Sequence, residues 1–153
     1  MKLAATYHVP AAREQVFAAL NDPAVLQRLI EGCESFVRRD DGVYLARLKV
    51  GLGSIKGTYS GEVRMQNVEP PESYMLIING RGTPGFVKGT ADVRLTDAGS
   101  ETGVACAADV QVGGVIAAVG WRLIEVAARR MLDRFFAALA AHLSAQDSKS
   151  GAV

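Results

Sequence analysis

Apolar and polar positions follow two different periods along this chain. From Val115 to Ser144 apolar residues recur at Ile116, Val119, Leu123, Ala127, Met131, Phe135, Leu139 and Leu143, with Ile124, Ala128, Leu132 and Phe136 widening the stripe. Steps of three and four keep side chains on one face of an α-helix, so the stretch predicts a single long amphipathic helix. Arg122, Glu125, Arg129, Arg130, Asp133 and Arg134 fall on or beside its opposite face. A helix apolar along its whole length needs an equally long apolar surface to lie on.

The preceding residues supply that surface through a period of two. Residues 54–68 alternate most cleanly: Ile55, Gly57, Tyr59, Gly61, Val63 and Met65 point one way, against Lys56, Thr58, Ser60, Glu62, Arg64 and Gln66. Strand 43–50 sets Tyr44, Ala46, Leu48 and Val50 against Leu45, Arg47 and Lys49. Strand 86–96 puts Val87, Gly89, Ala91, Val93 and Leu95 inside, and strand 102–112 does the same with Val104, Cys106, Ala108, Val110 and Val112. Strands are also predicted at 2–9, 34–39 and 73–80. Asp40-Asp41-Gly42 and Asp97-Ala98-Gly99-Ser100 read as hairpin turns, and RGTPG (81–85) as a flexible glycine-rich tip. Residues 11–20 form a helix. Asp22 caps a second one that Pro23 begins and that runs to Ile30.

The resulting order is β-αα-β6-α, joined by hairpin-length connections. Sequential hairpins make an antiparallel meander. The fold class is α+β: a helix-grip architecture in which a curved antiparallel seven-stranded sheet wraps the long C-terminal helix. Residues 1–144 make one domain, and the small, polar stretch 145–153 reads as a disordered tail.

The inner faces carry little bulk. Gly57, Gly61, Gly89, Ala91, Cys106 and Ala108 on the sheet meet Ala117, Ala118, Gly120, Ala127 and Ala128 on the first half of the helix. Interiors are densely packed, so small residues on both walls mean either close approach or an unfilled apolar cavity, and the size of the sheet favours a cavity. Its wall is assigned to Tyr44, Leu48, Ile55, Gly57, Tyr59, Gly61, Val63 and Met65, to Ile77 and Phe86, to Val87, Gly89, Ala91, Cys106, Ala108 and Val110, and to Ile116, Val119, Gly120, Leu123, Ile124 and Ala127 on the helix. Met131, Leu132, Phe135, Phe136 and Leu139 make the second half of the helix the solid anchor.

Composition narrows the function. Seventeen Lys and Arg against 16 Asp and Glu leave a net charge of +1, which gives no electrostatic reason to expect nucleic acid. Cys33 and Cys106 lack metal or disulfide spacing and read as reduced thiols of a cytoplasmic protein. No stretch approaches the length of a membrane span. His8 and His142 read as a strand-end and a helix-end histidine, and no metal-binding or nucleophile motif is present, so neither a metal nor a cofactor is expected. The glycine-rich GRGTPG (80–85) lies between strands, where no helix N-terminus could hold a phosphate. Glu62, Asp92 and Asp109 point outward. Tyr44, Tyr59 and Asn67 are inward polar groups that could bind one polar end of an apolar ligand, or reach solvent or backbone instead.

The ordered set Leu20-Asn21-Asp22-Pro23 with Leu26, Gly32-Cys33-Glu34, Val50-Gly51, Lys56-Gly57-x-Tyr59-x-Gly61, Pro71, Gly80-x-Gly82, Gly85-Phe86-x-Lys88-Gly89-x-Ala91, Val110-x-Val112-Gly113-Gly114, Gly120 and Phe135-Phe136 resembles the START-like (SRPBCC, Bet v 1-like) superfamily. More closely it resembles the CoxG family, the G subunits of carbon monoxide dehydrogenase, over about residues 2–140. The resemblance implies a helix-grip fold with a deep hydrophobic cavity. It also implies an accessory, non-catalytic role beside a molybdenum-containing CO dehydrogenase-type enzyme, through membrane recruitment and handling of a quinone-like lipid. Glu31 stands where many members have a proline. The chain ends at Val153, where many carry a C-terminal extension that contributes to membrane attachment, so contact with the inner face of the membrane is expected to be peripheral at most.

Three functions fit. The first is a carrier of a small hydrophobic ligand, monomeric or homodimeric. The second is a cyclase- or aromatase-type enzyme in the same cup. The third is a ligand-free docking subunit whose contacts are Trp121, Arg122 and the loops at 51–54 and 80–86.

Overall fold

The computed structural model describes residues 1–51 and 56–151, with 146–151 described for backbone alone. The chain runs β1 (Lys2–Val9), α1 (Arg13–Leu20), α2 (Pro23–Leu29), β2 (Cys33–Arg38), β3 (Tyr44–Val50), β4 (Gly57–Glu69), β5 (Ser73–Gly82), β6 (Gly85–Ala98), β7 (Glu101–Gly113), α3 (Val115–Ala118) and α4 (Trp121–Gly151). All seven strands form one antiparallel sheet in the order β1-β7-β6-β5-β4-β3-β2. Everything from β2 to β7 is a meander of neighbours, and β1 closes the far edge against β7. The Asp22 side chain accepts from the Ala24 N–H at 3.0 Å and Pro23 opens α2, as the pattern predicts.

One solid core fills half of the fold. Val9, Val16, Leu20, Val25, Tyr74, Val93, Leu95, Val104, Phe136, Leu139 and Leu143 are buried together. The second half of α4 therefore packs against α1, α2 and the ends of β6 and β7. Its attachment to the edge strand β1 is specific: Tyr7 stacks on Phe136 with centroids 4.2 Å apart, Tyr7 Oη donates to Asp133 at 2.7 Å, and Arg129 donates to the Ala4 carbonyl at 3.1 Å.

Two expectations about the helix are corrected. It is not continuous from Val115: the chain breaks between α3 and α4, where Gly120 has φ +97°. An L-residue avoids that conformation, so glycine makes the elbow possible. The break resets the helical phase, and Leu123, expected on the buried stripe, is 61% exposed. The helix also runs past Ser144 to Gly151, with no proline or glycine before that residue to stop it. The tail expected at 145–153 otherwise lies largely outside the described side chains.

The glycine-rich tip is corrected as well. β5 and β6 close to Gly82 and Gly85, which pair directly, so the turn between them is Thr83-Pro84 alone. The Ile116 N–H donates to the Pro84 carbonyl at 2.8 Å, which ties the hairpin to α3. Gly114, at φ +82°, makes that approach possible: a Cβ there would lie 2.7 Å from the Gly85 Cα.

Candidate functional site

An apolar cavity of about 240 Å³ lies under the first half of the helical segment. The sheet contributes Ala46, Leu48 and Val50 from β3, Tyr59, Gly61 and Val63 from β4, Ile78 and Gly80 from β5, Val87 from β6 and Val112 from β7. Ile116 of α3 and Ile124 and Met131 of α4 form the opposite wall, and Ser60 and Glu62 border the space from outward strand positions. The strand registers explain the grouping. Gly61 pairs with both Ala46 and Gly80, Val63 with Ile78, and Gly80 with Val87, which itself pairs with Val112. One row across five strands thus carries only small or β-branched residues. Gly61 and Gly80 stand opposite one another, and the nearest atoms to a Cβ at Gly80 would be 3.9 Å away. That row leaves room instead of drawing the helix in.

Small residues have a different meaning elsewhere on the same face. A Cβ at Gly89 would run into the Asp109 carbonyl and lie 2.7 Å from the Val110 Cα. A Cβ at Gly57 would lie 2.8 Å from the Pro84 ring. These glycines mark close approach of backbone, the alternative that composition left open.

Of the residues assigned from sequence, Leu48, Tyr59, Gly61, Val63, Val87, Ile116 and Ile124 line the cavity. Tyr44 shares their face but is buried, tilted against Phe36 at 5.6 Å with its hydroxyl 3.5 Å from the Asn21 carbonyl. Met65 and Cys106 pack against the solid core, and Ala91 is buried. Ala108, Val110, Val119, Gly120 and Ala127 do not reach the cavity wall. Ile55 and most of the 51–54 loop lie outside the described residues. Ile77 and Phe86 are corrections. Ile77 pairs with Arg64 and Thr90, and Phe86 with Arg81, which puts both on the outer face, where Lys88 stands 5.7 Å over the Phe86 ring. Asn79, paired with Glu62 and Lys88, is outward too. Asn67 is exposed in a left-handed conformation, φ +50°. The inward polar trio therefore does not converge.

Sequence reasoning missed Ala46, Val50, Ile78, Gly80, Val112 and Met131. For Ala46, Val50 and Val112 the signal was present, since they share the phase of inward neighbours on their own strands.

Tyr59 beside this space and Cys106 beside the solid core are both shifted by burial. Burial raises the Tyr59 phenol above its ordinary range and pushes the Cys106 thiol up to about 11, so that Cys106 behaves as a small hydrophobe and not as a thiolate nucleophile. Among the described residues no cluster of three or more His, Cys, Asp or Glu could hold a metal ion, and no helix is long and apolar enough to cross a membrane. A larger concavity, about 430 Å³, lies on the outer face of the sheet. Its lining mixes Leu45 and Ala46 with the charged and polar side chains of Arg47, Glu62, Asn79 and Arg81, so it lacks the continuous apolar wall that a hydrophobic ligand needs.

A curved seven-stranded antiparallel sheet, two short helices after the first strand and a long C-terminal helix define a START-like helix-grip protein. A START superfamily protein from Mycobacterium smegmatis superposes with a TM-score of 0.71 at 14% identity, over 95% of this chain and 98% of that one. The Zhui aromatase/cyclase from Streptomyces sp. R1128 gives 0.74 at 14% identity, over 100% and 99%. A conserved protein from Geobacillus kaustophilus is more similar, with a TM-score of 0.90 at 28% identity over 94% and 95%. No curated protein sequence matches. The chain belongs to the CoxG family, the G subunits of carbon monoxide dehydrogenase, whose sequence model matches residues 6–144.

Proposed function

We propose that this protein is a non-catalytic carrier of a small hydrophobic ligand, lipid or quinone-like, and that it serves a CO dehydrogenase-type molybdenum oxidoreductase as an accessory protein at the cytoplasmic face of the membrane. One observation carries the ligand reading: the space between the Gly61–Gly80 row and Ile116, Ile124 and Met131 has an almost wholly apolar wall. Such a space offers water too few hydrogen-bond partners and gains from apolar contact. Its volume, about 240 Å³, lies just below the usual ligand-pocket range of roughly 300–1,000 Å³. It therefore suits a compact aromatic group of two or three rings or a short length of chain, and a longer acyl or isoprenoid tail would extend beyond it. The proposed contacts are the lining residues described above, with Tyr59 as the polar contact among them. Family membership supports the dehydrogenase partner.

Native mass spectrometry and organic extraction of the protein purified from its source test this reading. The expected result is an adduct of lipid or quinone mass. A bare chain that also fails to bind a neutral fluorescent apolar dye would defeat it. Co-purification of a molybdenum hydroxylase tests the partner separately. The cyclase-type alternative requires a cluster of acids, bases or hydroxyls inside the cup, and the wide separation of Tyr44, Tyr59 and Asn67 counts against it.

A further inference from the structure

The apolar cavity shares two wall residues, Val50 and Met131, with a second concavity of about 180 Å³ that is otherwise lined by Glu31, Lys49, Gly51 and Arg134. Val50 and Met131 therefore form the partition between an apolar interior and a charged groove. Met131 is unbranched, with three rotatable bonds, and such a side chain changes rotamer readily. Arg134 lies three residues further along α4, on the same helical face as Met131. Across the groove its Nη1 donates to both carboxylate oxygens of Glu31, at 2.8 and 2.7 Å. Glu31 stands in the turn between α2 and β2, and the Lys49 N–H holds that turn by donating to the Gly32 carbonyl at 2.8 Å. The Arg134 and Glu31 side chains are 46% and 61% exposed. An ion pair that open to solvent is weakly held and readily exchanged.

We infer that this groove is a head-group site, and that the ligand it takes is a single-chain carboxylate whose apolar chain passes between Val50 and Met131 into the cavity. The inference rests on the cavity reading above and narrows its ligand class. Glu31 already shows the chemistry: a carboxylate offers Arg134 two oxygens, and the ligand's carboxylate takes the place of Glu31 on the guanidinium. The displaced Glu31 stays within reach of the site, so a dianionic phosphate is repelled more strongly than a monoanionic carboxylate.

The test uses the full chain stripped of bound lipid and N-phenyl-1-naphthylamine, a neutral dye, as the cavity probe. Decanoate and decanol, equal in chain length, compete for it near neutral pH. The wild type prefers decanoate, and the preference shrinks as salt rises. Arg134→Gln weakens decanoate about fivefold while leaving decanol and the dye unchanged, and Glu31→Gln strengthens decanoate about threefold by freeing the guanidinium. If the dye binds but decanoate affinity is the same in the wild type and both variants, the head-group site is wrong and the cavity reading stands. If the dye does not bind the wild type, the cavity reading falls and this inference falls with it. Should Arg134→Gln fail to fold, Glu31→Gln on its exposed turn decides the question alone.

Discussion

Gly80→Val asks whether the space under the first half of the helix is real. Gly80 lines the cavity, and the nearest atoms to a Cβ there would be the Val87 and Ser60 carbonyl oxygens at 3.9 and 4.0 Å. The backbone at this position is not in the left-handed region, so a β-branched residue fits the strand. Valine adds three carbons to apolar surroundings, worth at most about 2.4 kcal/mol at roughly 0.8 kcal/mol per buried carbon. Replacing glycine inside a strand adds about 0.5–1 kcal/mol, and fixing the valine rotamer returns about 0.5 kcal/mol. Together these give at most about 2.4–2.9 kcal/mol; with the valine only partly enclosed the expected net gain is about 2 kcal/mol, or a Tm rise of roughly 4–8 °C for a domain of this size. Thermal and urea unfolding of lipid-free protein read the stability, and titration with the neutral dye reads the cavity. Stability should rise while dye affinity falls at least tenfold. If the walls are in contact, the same substitution overpacks them and costs about 1–3 kcal/mol. A destabilised variant would refute the argument from the glycine row.

Four further outcomes follow from other parts of the molecule. Leu139→Ala, at a fully buried position of the solid core, should cost about 2–5 kcal/mol in urea unfolding while leaving dye affinity in the folded fraction unchanged. Gly120→Ala should cost about 1–3 kcal/mol from backbone strain alone, since a Cβ there meets nothing within 4 Å. Gly120→Asn should cost less than Gly120→Val, and equal costs would rule out the strain account. Burial, followed by the hydrogen bond to Asp133, pushes the Tyr7 phenol up to about 12 from 10.0. A raised folded-state value means that this stabilisation is complete below pH 10 and is lost as pH rises through 12, so Tyr7→Phe should flatten the fall of stability across that window. Burial also raises Tyr74, so some alkaline dependence should survive in Tyr7→Phe and disappear only when Tyr74 is changed too.

The architecture was legible because most of its strands advertise their faces. β3, β4, β6 and β7 each alternate apolar with polar residues, and the strand registers agree with the phase read from them. β5 does not advertise: Met75, Leu76, Ile77 and Ile78 are apolar in both phases. Only the pairing of Ile78 with Val63 and Gly89 decides that Ile78 faces in and Ile77 out. The helix failed for a related reason. Its spacing was counted across Gly120 as though the phase carried through, but one residue at positive φ rotates everything after it relative to α3. Leu123 thereby leaves the stripe, and Ile124 and Met131 take the cavity side. Phe86 was assigned to the cavity wall although its own strand alternation, with Val87 inside, puts it on the outer face. The small residues could not be sorted by composition at all. Gly80 leaves space and Gly89 permits contact: nothing lies closer than 3.9 Å to a Cβ at Gly80, whereas the Val110 Cα of the neighbouring strand would lie 2.7 Å from one at Gly89.

The division of the helix into a packed half and a hollow half explains how the fold tolerates a cavity. An unfilled apolar space forfeits dispersion contacts, and large-to-small substitutions suggest about 24 cal/mol per Å³. Applied to about 240 Å³, that is an upper bound of roughly 6 kcal/mol, reached only if the space were sealed and dry, no chain relaxed and nothing bound, comparable to the whole stability of many domains. The loss has to be offset where packing is complete. Leu139, Val9, Val16 and Val104 are fully buried together, and Tyr7, Asp133 and Arg129 fasten the same half of α4 to β1. Residues that hold the fold and residues that face the cavity are thereby different sets, joined by one helix. Substitutions around the Gly61–Gly80 row can change what is bound at little risk to folding. Substitutions around Leu139 threaten folding and leave the ligand unchanged. A bound apolar ligand restores the missing contacts, so it should raise Tm most in the wild type and hardly at all in Gly80→Val, where valine already occupies the space. Equal ligand-induced shifts in the two proteins would place the ligand outside this cavity.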